Sequence, residues 1–585
     1  MRCARGVQAN PRLLRHDREG IALLLVILLT MVVAAVAAGA ALIGANSRLI
    51  SEYDQRVSLL ASVADAGLEE SRAILNQDPS LFPDSGYVAL EENAAVYDAE
   101  RHVIPEVTRS VYAGPVGGGV GQYGSFGTIV SVARDADGAE VIRRRDVRRE
   151  SFANYAYFTN SEGSSIAFGN GDQIYGPVHS NDDISITTGG ATFFGPVTTA
   201  GVINGKDNAT FLAGYTEGVD SIPLPSSSQL AAMQSRATPG NMTFTPVPGG
   251  TPGESTLRIE FVALDLGGPQ PTGFFKVYHS DTNPAYVTAT SAISRDAWAQ
   301  SRNCGNYYGG VFTSAYSSYL ANGYSVDAGI YELERSHSRC FLGGADSLWW
   351  NSFHATDSQG GWIPYPGTTP AALLATGRPD SAYLFPMDRD LNPGYRGVIF
   401  VNGKVVVSGV VAGRVTLAAT DNILIGDDVT YATDPSAGTC QDILGLWTAD
   451  SVVVANNAIN APQSVEFDGI WRSYDDTQSE FIQAMILAQD KFSVQDPGDG
   501  ATSAEPCDGT PYGRGCLYLT GGIIQGTRGV VSVPTRGYMK RYSYDSCGAD
   551  TPPPYFPSTG HFYRSRYYQV NPNGFNVAQY FAALN

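Results

Sequence analysis

Three pairs of adjacent acids, Asp182-Asp183, Asp427-Asp428 and Asp475-Asp476, are the first side chains in this 585-residue sequence to test for chemistry. Two carboxylates serve glycoside hydrolysis when they flank one bond at roughly 5 to 9.5 Å. Neighbouring residues of a strand point to opposite faces, so none of these pairs makes such a site by itself. Their hard oxygens could ligate Ca2+, although no EF-hand-type loop accompanies them. The seven His, at positions 16, 102, 179, 279, 337, 354 and 561, form no His-x3-His, and there is no Cys-x2-Cys, which removes the zinc signatures. His179 lies in Gly176-Pro177-Val178-His179-Ser180-Asn181 and is expected to hydrogen-bond to a neighbouring strand beside Asn181 rather than to catalyse. Neither a phosphate-cradling Gly loop followed by Lys nor a nucleophile elbow is present. These residues predict a protein that is not an enzyme and carries no cofactor.

Cysteine and the aromatics offer binding and cross-linking instead. Cys3 precedes the one long apolar run, whereas Cys304, Cys340, Cys440, Cys507, Cys516 and Cys547 follow it, an even set suited to three disulfides in an oxidising compartment. Their pairing is open, with Cys507 and Cys516 the shortest loop. Trp298, Trp349, Trp350 and Trp362 cluster with Cys304 and Cys340 between Ser221 and Arg389, a stretch that reads as an inserted subdomain. Such aromatics stack on a surface glycan or meet a partner, with core packing as the plainer role. Tyr538 to Tyr568 carries seven Tyr together with Pro552 to Pro554, and a cap that blocks edge pairing is the expectation there.

Composition narrows the class. With 65 Gly, 32 Tyr, 24 Phe and only 16% charged residues, the chain is neither an acidic disordered polymer nor a helical bundle. The formal charge of −19 excludes a general nucleic-acid binder, which needs Lys and Arg gathered on one face.

The elements that must position these residues begin with a helix. Ile21 to Ala45 contains no charged residue and is long enough to cross the ~30 Å hydrocarbon of a bilayer. Arg2, Arg5, Arg12, Arg15 and Arg18 precede it against Asp17 and Glu19, so the positive-inside bias leaves residues 1–20 in the cytoplasm and the head outside. Leu49, Tyr53, Val57, Leu60, Ala64, Leu68 and Leu75 continue at helical spacing as one stripe, up to Pro79. A helix from Ile21 to about Gln77 is ~85 Å long, apolar all round in 21–45 and amphipathic in 46–78.

These residues resemble the type IV filament proteins, the pilins and type II secretion pseudopilins. The resemblance rests on the basic leader ending Arg18-Glu19-Gly20, the uncharged helix from Ile21, and the Leu60 to Glu70 stretch, which has Asp65 where such proteins often have Glu. It implies a leader over 1–20, cleavage by prepilin peptidase between Gly20 and Ile21, N-methylation of Ile21, and other pilin-like subunits as partners of the helix. Removing the leader takes away five Arg and two acids and moves the formal charge from −19 to −22. Major pilins carry a Glu five residues after the cut, where this chain has Leu25. A buried carboxylate there would need the neighbour's terminal ammonium, so its absence favours a minor subunit that primes or caps a filament. The alternative is an anchored surface protein, either a binding protein or a β-helix enzyme acting on polysaccharide.

The rest of the chain predicts strands. Thr128 to Ala133 and Val141 to Val147 flank the turn pair Asp137-Gly138, and the first β unit is placed there, within a linker and hairpin region over 79–150. Arg143, Arg144, Arg145, Arg148 and Arg149 on its second strand read as a solvated basic face, with lipid headgroups or an acidic neighbour as the sharper option. Gln173 to Val178 is echoed nineteen residues later by Thr192 to Val197, a period suited to stacked β-helix turns. Short β-branched runs recur from Val398 to Tyr431. The blocks Ser151 to Gly214 and Arg396 to Pro557 resemble a bacterial envelope domain that follows prepilin-type helices and has no assigned catalytic residues. The expected fold is α+β: a pilin-like helix, then a β-rich head, a parallel β-helix or β-solenoid with first segment 151–220, insert 221–389, and second segment with cap 390–585.

Overall fold

The computed structural model describes residues 16–83, 86–117, 126–163, 166–169, 171–246, 257–280, 356–357, 360–376, 381–455, 464–466, 470–472, 479–498, 506–507, 509–533 and 536–584. A single helix, α1, runs from His16–Gln77 and stops where Pro79, which has no N–H to continue the ladder, follows. Leu60, Val63, Ala64, Leu68, Ser71 and Leu75 are buried along one face of it. Leu49 and Tyr53, the first members of the predicted stripe, are exposed, so docking begins only near Val57.

That face lies on an antiparallel five-stranded sheet built from β1 (Val88–Tyr97), β2 (Val103–Val116), β3 (Phe126–Asp135), β4 (Glu140–Ser151) and β5 (Ser558–Val570), in that order. The first β unit therefore starts forty residues earlier than Thr128, where the sequence reading placed it. The reason is visible in β1, a largely exposed edge strand with breaks in register at Glu91 and Ala94 and a left-handed Asn93, which erase the two-residue alternation. Asp137-Gly138 makes the β3–β4 turn, with Gly138 at φ +84°. The Tyr-rich C-terminal stretch is not a separate cap: β5 pairs with β4, and α2 (Val577–Leu584) sets Phe581 against Val130, Val132 and Ile142 on the sheet face away from α1.

A second, 23-stranded sheet contains most of the remaining described strands, and most of its pairings are parallel, the long antiparallel exception joining Leu257–Leu264 to Thr272–Ser280. One column of directly registered residues runs Thr243, Phe400, Ala418, Trp447, Leu487, Ile524, Phe158, His179, Thr198, Thr216. A second runs Phe261, Gly409, Val429, Ile482, Leu519, Tyr542, Ile174, Phe193, Phe211. Between them lies a core of Val, Ile, Leu and Phe, among which Ile259, Val407, Leu446, Ile486, Ile523 and Phe193 are wholly buried. Burial of each such side chain contributes about 1.5–3 kcal/mol. The nineteen-residue repeat is real stacking. Val178 registers on Val197, Tyr175 and Phe194 stack at 3.9 Å, and a side chain on Gly195 would run into the backbone of Gly176.

The order of the column is not the order of the chain. Strands between residues 398 and 527 lead into those at 157–217, so the chain enters the stack in the middle and winds to one end. It then returns as a strap to the far end and winds back. The strap is held by Asn181, whose carboxamide accepts from Ile222 N at 2.8 Å and donates to Ile222 O at 2.7 Å, and by Gln489, which donates to Pro225 O at 2.8 Å. The described strands of the presumed insert, Leu257–Leu264 and Thr272–Ser280 the longest among them, belong to this sheet and are not a separate body. Both ends of the large unit meet the small sheet together. Ser151 pairs with Ser558, and Phe152 N donates to Pro557 O at 3.0 Å.

Candidate assembly site on the N-terminal helix

The lower half of α1 stands clear of the rest of the described chain. Ile21 is 61% exposed, and Leu25, Leu29, Val33, Val36 and Ile43 are exposed around the whole circumference. Among the described residues this is the one helix long and apolar enough to cross a membrane. An apolar cylinder of this length needs lipid or other helices around it. Gly20 and Ile21, the predicted processing pair, are consecutive residues inside α1.

The upper half is fixed by charge as well as by packing. Glu69 accepts from Arg145 of β4 at 2.6 Å, from Arg564 of β5 at 2.7 Å and from Arg72 at 3.2 Å. Burial alone would raise the Glu69 carboxyl, but hydrogen bonds from Arg564 and Arg72 and the charges of Arg145 and Arg564 hold it below the usual range. Asp65 accepts from the Tyr567 hydroxyl at 2.7 Å and lies 3.9 Å from Arg143. Glu70 pairs with Arg109, a buried guanidinium that also holds Glu91 at 2.7 Å. Lower down, Arg56 binds both Asp135 and Asp137 at the β3–β4 turn.

The basic cluster of β4 is therefore not a solvated face. Arg143, Arg145 and Arg149 alternate toward α1, Arg149 lying over Phe82 and Phe562, while Arg144 faces Asp146 and the Tyr568 ring and Arg148 faces Asp550. The signal was present in the sequence as the four-residue spacing of Asp65 and Glu69 opposite arginines two apart on a strand.

Other predicted site residues fall elsewhere. Cys440 is bonded to Cys547, and Cys507 to Cys516, each with Cα atoms about 5 Å apart. Cys304, Cys340, Trp298, Trp349 and Trp350 lie outside the described residues, as does the side chain of Trp362, whose strand Gly360–Trp362 pairs with Tyr278. Asp182 ties its turn to the one stacked against it, accepting from the Ser161 hydroxyl and from the backbone of Glu162, and Asp183 accepts from Val202 N. Asp428 accepts from Phe481 N, the Asp427 side chain is outside the described set, and Asp475-Asp476 lies outside it altogether. His179 bonds to Thr198 on the next strand and to Asn181, each at 2.9 Å. Among the described residues no group of three His, Cys, Asp or Glu is placed to hold a metal ion.

No known family matches this chain, and no curated protein matches it. Among solved structures, the competence-associated pilin ComZ from Thermus thermophilus is similar over 87% of this chain and 96% of its own, at 13% identity and a TM-score of 0.22. At that score the two backbones do not superpose as one fold.

Proposed function

We propose that this chain is a pilin-like envelope subunit with a structural role and no cofactor. The observation that carries the reading is the division of one continuous helix: an exposed, uncharged half beginning at Ile21 and an amphipathic half clamped to a sheet through Glu69, Glu70 and Arg56. Such a helix anchors a head to the inner membrane before assembly and packs against other pilin-like subunits afterwards. In this reading prepilin peptidase cuts before Ile21, which is then N-methylated. Leu25 offers no carboxylate to a neighbour's terminal amine, which favours a place at the start or tip of a type IV pilus or type II secretion pseudopilus. The two parallel columns are read as a β-solenoid that carries the head outward, with the 221–389 region as its glycan- or partner-binding part.

The test is N-terminal mass analysis of protein from its native host, with and without the peptidase. A chain beginning at N-methylated Ile21 only when the peptidase is present supports the reading. An uncut Met1, or a cut near Ala45, overturns it and leaves an anchored protein in the first case and a secreted one in the second, with polysaccharide as the substrate class to examine.

A further inference from the structure

The last strand of the five-stranded sheet adds the edge of the surface on which α1 rests, the larger share coming from β3 and β4, and it arrives there from a disulfide-bonded belt. β5 supplies Arg564 to Glu69 and Tyr567 to Asp65, and its Phe562 is buried among Leu68, Leu75, Phe82 and Val147. Asn76 and Arg72 of α1 grip the backbone of Phe562 from both sides, accepting from its N–H at 2.7 Å and donating to its carbonyl at 3.2 Å. Yet β5 is more than four hundred residues from β4 in sequence, and only the geometry of its approach brings Ser558 beside Ser151.

That approach is the belt Asp545 to Pro557. It leaves the large sheet after Tyr544 and crosses the outside of the strands at Arg414 and Gly445. Arg414 donates to Pro552 O at 2.8 Å and Thr416 to Pro554 O at 2.5 Å, while Phe556 and Pro553 rest on Gly445. Belt carbonyls receive these bonds, and three consecutive prolines supply no N–H to any ladder. The covalent fixture of the belt is Cys547, which is buried and bonded to Cys440 on the half-buried loop after Tyr431. The bond joins residues 107 apart in sequence, whereas Cys507–Cys516 closes a local loop with a separation of nine.

We propose that the Cys440–Cys547 disulfide is a redox clamp that completes the α1-bearing sheet: its formation fixes the belt and thereby seats β5 on β4 and α1. Two thiols lose two electrons and two protons to a disulfide oxidant, protein or glutathione, which is itself reduced to two thiols. Before that step the large sheet can fold while β5 remains loosely held. The helix-docking surface is then finished only where such an oxidant is present. This inference does not depend on filament assembly.

The test is hydrogen exchange followed by mass spectrometry on the full chain in detergent micelles, with the state of each cysteine read by alkylation. Wild type is compared oxidised and after mild reduction, together with Cys440→Ser, Cys547→Ser and a Cys507→Ser/Cys516→Ser control. Loss of the long-range bond is expected to speed exchange across 558–570 by at least about tenfold, with the large sheet and the control variant unchanged, as for a local opening. Unchanged protection of 558–570 once the bond is shown to be absent overturns the proposal. So does equal loosening of the control, or loss of protection throughout the large sheet, because the bond would then act on the whole fold. Should either serine variant fail to accumulate, reduction of the folded wild type gives the same reading.

Discussion

Glu69 on α1 and Arg145 on β4 face one another at 2.6 Å, and the same carboxylate receives Arg564 from β5. One side chain thus holds together the helix, the strand that leaves for the large sheet and the strand that returns from it. Because its folded pKa is depressed, the stability it contributes is present above the ordinary Glu value of about 4.3 and is lost as pH falls through the lower folded value. Asp135 adds in the same sense: burial would raise its carboxyl, but Arg56 and the turn N–H groups outweigh that and lower it. Glu69→Gln is expected to cost about 1 kcal/mol at pH 7, discounted for the partial exposure of the pair. The cost should shrink as pH falls through the folded value and vanish once both proteins carry a neutral side chain. Urea unfolding across pH checks this, and a cost that persists in acid would show the carboxylate charge to be irrelevant.

Gly67 marks where α1 and the sheet approach too closely for a side chain. A methyl there would sit 2.5 Å from Ser131 Oγ and 2.6 Å from Arg109 Cδ, and Arg109 cannot retreat without loosening Glu70 and Glu91. Gly67→Ala gains about 1 kcal/mol of helix propensity, which overpacking of about 1–3 kcal/mol outweighs. Net destabilisation is expected, larger for Gly67→Val, with faster exchange of β2 and β3 amides. An Ala variant more stable than wild type would place the helix farther out than described.

The return strap depends on Asn181. Asn181→Ala removes both hydrogen bonds to Ile222 and one to His179, and is expected to cost about 2–3 kcal/mol, with exchange rising at 218–226. His179 adds a pH term. Burial lowers its pKa and the Asn181 bond only partly opposes that, so its contribution is complete above the unfolded value of about 6.5 and declines as pH falls through the folded one. Wild type should therefore lose stability from pH 7 to 5 more steeply than His179→Asn. Equal slopes would mean that the imidazole is hydrated in the folded protein.

What could be read from the sequence was local. The helix, its stripe from Val57 and the nineteen-residue echo at Val178 and Val197 each follow from short-range spacing. β5 was misread as a cap because the register Tyr568↔Arg144 joins residues separated by most of the chain, and no periodicity reports such a pairing. The two blocks were read as segments of one solenoid, but the permuted order was hidden for the same reason, since nothing in the sequence places Ile524 beside Phe158. The Arg cluster was seen, but Arg143 and Arg145 find Asp65 and Glu69 on α1, and the spacing of those acids acquires a meaning only once the helix is known to lie on that strand.

That junction of late and early strands is marked by buried charge, which gives the sharpest energetic prediction. Arg528, from the late strands, lies 2.9 Å from Glu162, from the early ones, with both side chains almost fully enclosed and the guanidinium stacked 3.8 Å over Phe168. Lys540 and Asp172 repeat the arrangement at 3.2 Å across the neighbouring column. Two charges withdrawn from water gain little over apolar residues of the same volume, whereas one charge left alone is costly. Arg528→Met and Glu162→Leu are each expected to cost about 3–5 kcal/mol, and the double variant far less than their sum. Denaturant titration of the four proteins in the cycle measures the coupling. The variant that exchanges the charges, Arg528→Glu with Glu162→Arg, separates two roles for the pair. Recovery would show that any opposite charges suffice to join the two halves of the stack. Failure, with the apolar pair stable, would show that the two charges cannot trade places, because only the Arg528 position offers a guanidinium the Phe168 and Tyr157 rings. Strict additivity of the two single costs would mean that the ion pair does not hold the junction.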